Sequence, residues 1–138
     1  MSKFKIFAEF VKDISVETKD IQTYLFVKDY ISKYKLTIDI ISKPAKNKLI
    51  EVNTTLKFED KEPRDKKSYF EVVYASIIKI DEDIKDKKNF QKIILCDVQK
   101  KIQPNLEKTF TDLLNNSGFN NINIKKIDFD KLYNERFS

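Results

Sequence analysis

Between Asp86 and Phe119 the chain reads DKKNFQKIILCDVQKKIQPNLEKTFTDLLNNSGF. Its apolar residues fall at Phe90, Ile93, Ile94, Val98, Ile102, Leu106, Phe110, Leu113 and Leu114. Steps of three and four lay these side chains along one stripe of a helix, while Lys92, Asp97, Lys100, Glu107 and Asp112 occupy the wet side. The stripe ends at Gly118, the chain's only glycine, the residue best able to adopt the left-handed conformation that terminates a helix. Pro104 lacks the N–H that the Lys100 carbonyl needs, so the spacing predicts either a kinked helix or two helices, the second opening near Pro104. A helix this long with one apolar side requires a sheet or another helix to lie against.

The preceding sequence supplies strands. Phe4, Ile6, Ala8, Phe10, Ile14 and Val16 share one parity, opposite Lys3, Lys5, Glu9, Asp13, Ser15 and Glu17. That alternation predicts a strand with one dry and one wet face. Lys12 interrupts the dry face, while Phe7 and Val11 add apolar surface to the wet one. Thr18 to Lys33 loses the alternation yet stays apolar at Ile21, Tyr24, Leu25, Phe26, Val27, Tyr30 and Ile31. Two readings stand side by side there: a short helix or crossover packed over the core edge, and an aromatic lining left partly open to bind something apolar.

Alternation returns at Tyr34, Leu36, Ile38 and Ile40, and again at Ile50, Val52, Leu56 and Phe58, with SKPAKNK (Ser42 to Lys48) turning between them. After the charged loop EDKEPRDKK (Glu59 to Lys67), broken by Pro63, a fourth strand points Phe70, Val72, Tyr74, Ile78 and Ile80 inward. Its other face holds Tyr69, Glu71, Val73, Ala75 and Ile77. Short connections make the second to fourth strands antiparallel neighbours. Beyond Gly118, NNINIKKI reads as extended, with Ile122 and Ile124 on one side. Asp128 reads as the N-cap of a short final helix striped by Phe129, Leu132, Tyr133 and Phe137. The fold class is α+β: a four-stranded antiparallel sheet packed against a long C-terminal helix, kinked near Pro104, and a short final helix. With 138 residues the chain is expected to form a single domain.

Composition excludes most chemistry. There is no histidine, so no imidazole acid–base or His metal ligand, and one cysteine builds neither a disulfide nor a thiolate zinc site. One glycine excludes the P-loop and the dinucleotide fingerprint. Carboxylate pairs remain, but among 22 acids some pair by chance and no spacing singles one out. No catalytic, cofactor-binding or metal-binding residue is expected, and the protein is not read as an enzyme. The net charge of +5 rests on 25 lysines and only Arg64 and Arg136. The lysines are dispersed among acids, so no nucleic-acid partner is expected. No apolar run reaches the roughly 20 residues that span a bilayer. The opening MSKFKIFAEFVKD lacks the apolar core and cleavage site of a signal peptide, and a cytoplasmic home is expected.

Three stretches together resemble the protein-export chaperone family SecB. FVKDISVE (Phe10 to Glu17) is similar to the family's tyrosine/valine-lysine-aspartate-isoleucine-serine-phenylalanine-glutamate opening. SGFNNINIKKIDFDKLY (Ser117 to Tyr133) resembles its glycine-glycine-phenylalanine-proline run leading to isoleucine-aspartate-phenylalanine and leucine-tyrosine. YFEVVYASIIKID falls where the family has its fourth strand, and IQPNLEKTF keeps a family proline at Pro104. The resemblance covers nearly the whole chain in order. It implies an ATP-independent homotetramer, a dimer of dimers, that holds unfolded precursor polypeptides and passes them to the translocation ATPase SecA.

SecA docking would fall on Asp13, Glu17, Tyr69 and Glu71, and the client groove on Tyr24, Leu25, Phe26, Tyr30, Leu132 and Tyr133. Val11, Val73 and Ile77 are expected at an oligomer interface, as are Leu106 and Phe110 of the long helix. The chain departs from the family in being basic, in carrying Ala75 and Ser76 where the family has paired glycines, in reading Asn105, Leu106 and Glu107 where the family has tyrosine-alanine-arginine, and in showing no acidic tail before Ser138. Two alternatives stand beside export: a SecB-like chaperone dedicated to one antitoxin, and a small basic nucleic-acid-binding protein.

Overall fold

A computed structural model describes residues 3–120, 122, 124 and 127–137, without the side chains of Arg136 and Phe137. Four strands, β1 (Phe4–Glu17), β2 (Lys35–Pro44), β3 (Ile50–Glu59) and β4 (Tyr69–Ile80), form one antiparallel sheet in the order β1-β4-β3-β2. Helix α1 (Ile21–Tyr30) and a 3₁₀ turn (Ile31–Lys33) carry the chain from β1 across to β2. Then α2 (Lys87–Lys92), a π-helical turn (Ile93–Asp97) and α3 (Val98–Asn116) run continuously, and α4 (Phe129–Phe137) follows.

The helical stripe and the even-numbered faces of β3 and β4 bury one another. Val98, Ile102, Leu106, Phe110 and Leu114, one per turn, are closed off together with Val52, Leu56, Phe58, Phe70, Val72 and Ile78. The Phe110 ring meets Phe58 edge-on at 6.2 Å between centroids. One polar pair crosses this layer: Thr54 Oγ1 donates to Gln99 Oε1 at 3.0 Å, and Gln99 Nε2 donates to the Ile94 carbonyl at 3.2 Å. Both side chains are buried, so the two bonds offset the cost of removing these groups from water.

Pro104 sits inside α3 and the backbone stays helical around it, so no second helix opens there. Sheet contacts on both sides of the proline outweigh a local penalty of about 3 kcal/mol. The departure from α geometry lies instead about two turns upstream, in the Ile93–Asp97 π-turn. Asp86 caps α2 through the Lys88 N–H. The C-terminal stop is a Schellman ending: Phe119 N–H donates to the Leu114 carbonyl at 3.0 Å, and Gly118 N–H to Asn115 at 3.1 Å, with Gly118 at φ +90°. Asp128 caps α4 through the Lys131 N–H. The extended reading of the segment before it falls partly outside the described residues; Ile122 and Ile124 are half-buried against the core.

Parity on β2, β3 and β4 is as the alternation predicts, but on β1 it is not. The β1–β4 register slips between Ile6 and Ala8 and again between Val11 and Asp13, leaving Phe7 and Lys12 as extra residues. Each bulge reverses the faces that follow. Ala8 and Phe10, expected on the dry side, therefore pair with Ile77 and Ala75 on the outer face, and Val11 pairs with Tyr74 on the helix side. Glu9 also turns to the helix side, where its Oε1 accepts from Tyr74 Oη at 2.9 Å and Asn105 Nδ2 at 3.2 Å. The second slip restores the parity of Ile14 and Val16.

Candidate binding surfaces

The outer face of the sheet gathers acids around one tyrosine. Register sets Glu17 opposite Tyr69, Ser15 opposite Glu71 and Asp13 opposite Val73, and the β3 partner of Glu71 is Lys57. All four residues expected at a docking site thus share one end of one face. Glu59, which the sequence reading assigned to the charged loop, extends β3 beside them. Loss of water holds the Tyr69 hydroxyl above its ordinary pKa, helped by the Glu71 carboxylate and the charges of Glu59 and Asp13. Lys57 Nζ offsets Glu71 at 3.6 Å. Farther along, Lys12 and Lys43 meet Glu51 at 2.5 and 3.7 Å, which leaves the Tyr69 end as the acidic one.

The expected client residues occupy two places. On α1, Val27 and Thr23 turn inward while Leu25 is 55% exposed and Tyr30 37%. A short helix thus packs over the core edge, with Leu25 and Tyr30 on its open side. The Tyr24 ring lies 5.1 Å from Phe119, and its hydroxyl donates to the Gly118 carbonyl at 2.7 Å. Phe26 and Tyr30 stack at 4.8 Å. Tyr24 crowds Gly118 so closely that a Cβ there would meet its Cε1 at 2.8 Å. Gly118 is thus also a seat for α1, which the sequence did not reveal.

Leu132 and Tyr133 are half-buried on α4, at the other end of the helix. There Asp130 Oδ1 accepts from Cys96 Sγ at 2.7 Å and Oδ2 from Lys100 Nζ at 2.6 Å. Burial, followed by the Asp130 carboxylate, pushes the Cys96 thiol up to about 11. Cys96 to Gly118 spans about 33 Å of helix, the length of roughly ten extended residues. Between the two sites lies a cavity of about 280 Å³ lined by Leu36, Leu56, Leu106, Phe110, Ile124 and Phe129.

The expected oligomer contacts divide. Val73 and Ile77 are half-buried on the outer face, whereas the bulges put Val11 on the opposite one. Leu106 and Phe110 are each 1% exposed, packed against this chain's own sheet.

Comparison with known proteins decides the family. The family model described as preprotein translocase subunit SecB matches residues 1–138. The chain belongs to the SecB family. Its function is that of a protein-export chaperone. It is similar to the putative protein-export protein SecB of Pelagibacter ubique (strain HTCC1062), with 55% identity over 134 residues and 96% of each chain covered. Its fold is similar to that of the Mycobacterium tuberculosis SecB-like chaperone solved in complex with a peptide from the HigA1 antitoxin. That match has a TM-score of 0.67 at 8% identity, over 91% of this chain and 88% of the other. Among the described residues no helix is long and apolar enough to cross a membrane.

Proposed function

We propose that the protein, as a single cytoplasmic chaperone domain, holds unfolded precursor polypeptides along the helix side and delivers them to SecA from the outer face. Holding would use Tyr24, Leu25, Phe26 and Tyr30 at one end and Leu132 and Tyr133 at the other. Docking would use Asp13, Glu17, Tyr69 and Glu71. The assembly is a homotetramer, and the cycle needs neither nucleotide nor catalysis. The observation that carries this reading is the separation of the two surfaces. The apolar residues of α1 stand open at the crossover while the acidic cluster sits on the sheet's outer face, so client and acceptor do not compete for one surface. Side-chain burial and main-chain pairing need little sequence specificity, which suits a holder of many unfolded chains.

The purified protein is expected to suppress aggregation of a chemically unfolded precursor in the absence of nucleotide. Unchanged aggregation would sink the reading. Charge reversal by Asp13→Lys with Glu17→Lys is expected to abolish SecA binding while leaving client holding intact. An unaltered SecA affinity would move the docking site elsewhere. Native mass measurement is expected to give four copies.

A further inference from the structure

The loop between β3 and β4 is charged, yet it is braced internally around Asp60 and strapped to the crossover at three points, Thr18, Tyr30 and Tyr34. Asp60, at its start, has a side chain only 1% exposed, and Arg64 Nη1 donates to both its oxygens at 2.6 Å. The Glu62 N–H donates to Asp60 Oδ1, and Lys67 Nζ to the Asp60 carbonyl at 2.8 Å. At the far end of the loop, the Ser68 N–H donates to Tyr34 Oη at 2.9 Å, and Ser68 Oγ bonds Thr18 Oγ1 at 2.7 Å. Thr18 precedes α1 and Tyr34 follows it, so the loop grips both ends of the crossover.

The same Arg64 guanidinium lies over the Tyr30 ring at 4.6 Å, and Tyr30 stacks on Phe26. A planar cation held by a buried carboxylate can hold an aromatic ring in place, where a lysine ammonium on four rotatable carbons would not. The composition sharpens this point. Of 27 cationic residues only two are arginine, and one stands where the guanidinium holds a carboxylate through Nη1 and lays its face on an aromatic ring.

We infer that Arg64, anchored by Asp60, is a positioning residue for client binding: it holds the Tyr30–Phe26 pair as a preformed platform on the open side of α1. The inference deepens the client-holding reading and rests on it. Removing the stack leaves the fold standing but lets Tyr30 sample other rotamers, and binding must then restore the order.

The test is a double-mutant cycle on the full-length protein with a reduced, carboxymethylated and permanently unfolded polypeptide as probe. Arg64→Lys is expected to weaken binding about five- to tenfold, mainly through faster release, as is Tyr30→Ala. The double variant is expected to be no weaker than Tyr30→Ala alone, because the arginine acts only through that ring. Arg64→Met serves as the second variant, and the Tyr30 ring resonances of each are read without probe. Arg64→Lys should shift them while urea unfolding stays close to wild type. Equal probe affinity in wild type and Arg64→Lys, or effects that simply add in the double variant, would overturn the inference while leaving client holding in place. A wild-type protein that does not bind the probe would bring down the client-holding reading, and the inference with it.

Discussion

β4 and β1 lie side by side along nearly their whole lengths, and both carry alternating apolar residues, yet their fates differ. On β4, Phe70, Val72 and Ile78 are fully buried; on β1, Val11, Ile14 and Val16 face the same side and remain 40–47% exposed. Strand pattern does not separate them; β4 is paired on both sides and β1 on one, but that difference lies in the plane of the sheet and leaves the side-chain faces open to the same cover. What separates them is what lies above. α3 runs over β3 and β4, with Gln99 bonded to Thr54 and Phe110 on Phe58, and reaches the edge strand β1 at Glu9 through Asn105, while Val11, Ile14 and Val16 stay uncovered. Alternation shows that a strand has a dry side; it does not show what will cover that side.

Removing covered contacts should have the largest effect. Phe110→Ala leaves a cavity where α3 meets β3, and is expected to cost about 3–5 kcal/mol in urea unfolding. Next is the seam where α3 ends and α1 sits on it. Gly118→Ala imposes the left-handed penalty of about 1–2 kcal/mol. It also pushes a methyl into the Tyr24 ring, so the Tyr24–Gly118 bond should weaken with it. A loss no larger than that of an exposed Ala substitution would mean that α1 is not seated there.

A smaller effect should appear in alkali, at the junction of the two strands. Burial, then the Glu9 carboxylate that accepts its hydrogen bond, raise the Tyr74 hydroxyl from 10.0 to about 12. A group whose folded pKa exceeds its unfolded one contributes stability that is full below about pH 10 and is lost as pH rises through 12. Ionised Tyr74 would also face Glu9 as a like charge, so β1 should loosen first. Amide exchange along β1 is expected to accelerate across that window in wild type and to change less in Tyr74→Phe. The buried Cys96 thiol titrates in a neighbouring window but is common to both proteins, so their difference isolates Tyr74.

Much of the fold could be read in the chain because three strands keep period two without interruption and the helix keeps its stripe for more than twenty residues. The errors share one cause, an inserted residue that periodicity does not show. Phe7 and Lys12 each flip β1, and because the two flips cancel, only residues 8–11 depart from the predicted parity. Both bulges left a trace: Lys12 broke the dry face and Phe7 greased the wet one. The π-turn at Ile93–Asp97 is another insertion, hidden because its residues are as apolar as those of a regular helix. The acidic cluster was legible in part, since Asp13, Glu17, Tyr69 and Glu71 lie where parity put them. Glu59 was lost because the strand runs on into the charged loop. The Asp60–Arg64 brace depends on tertiary contact and could not be read from spacing.

The smallest effect tests the comparison most directly. Ile14 is nearly half exposed on the helix side of β1, so truncation removes little buried surface from the single chain. Ile14→Ala should cost under about 1 kcal/mol in a dilute, monomeric sample. An edge strand with free N–H and C=O groups and apolar side chains is a natural place for another copy to pair. If tetramer formation covers β1, the same substitution must cost more as protein concentration rises, because the lost contact then belongs to the assembly. Urea midpoints for wild type and Ile14→Ala, measured across a hundredfold range of concentration, distinguish the cases. A gap that widens with concentration assigns β1 to the subunit interface. A constant small gap leaves β1 open and moves the interface to the outer face, where Val73 and Ile77 lie half-buried.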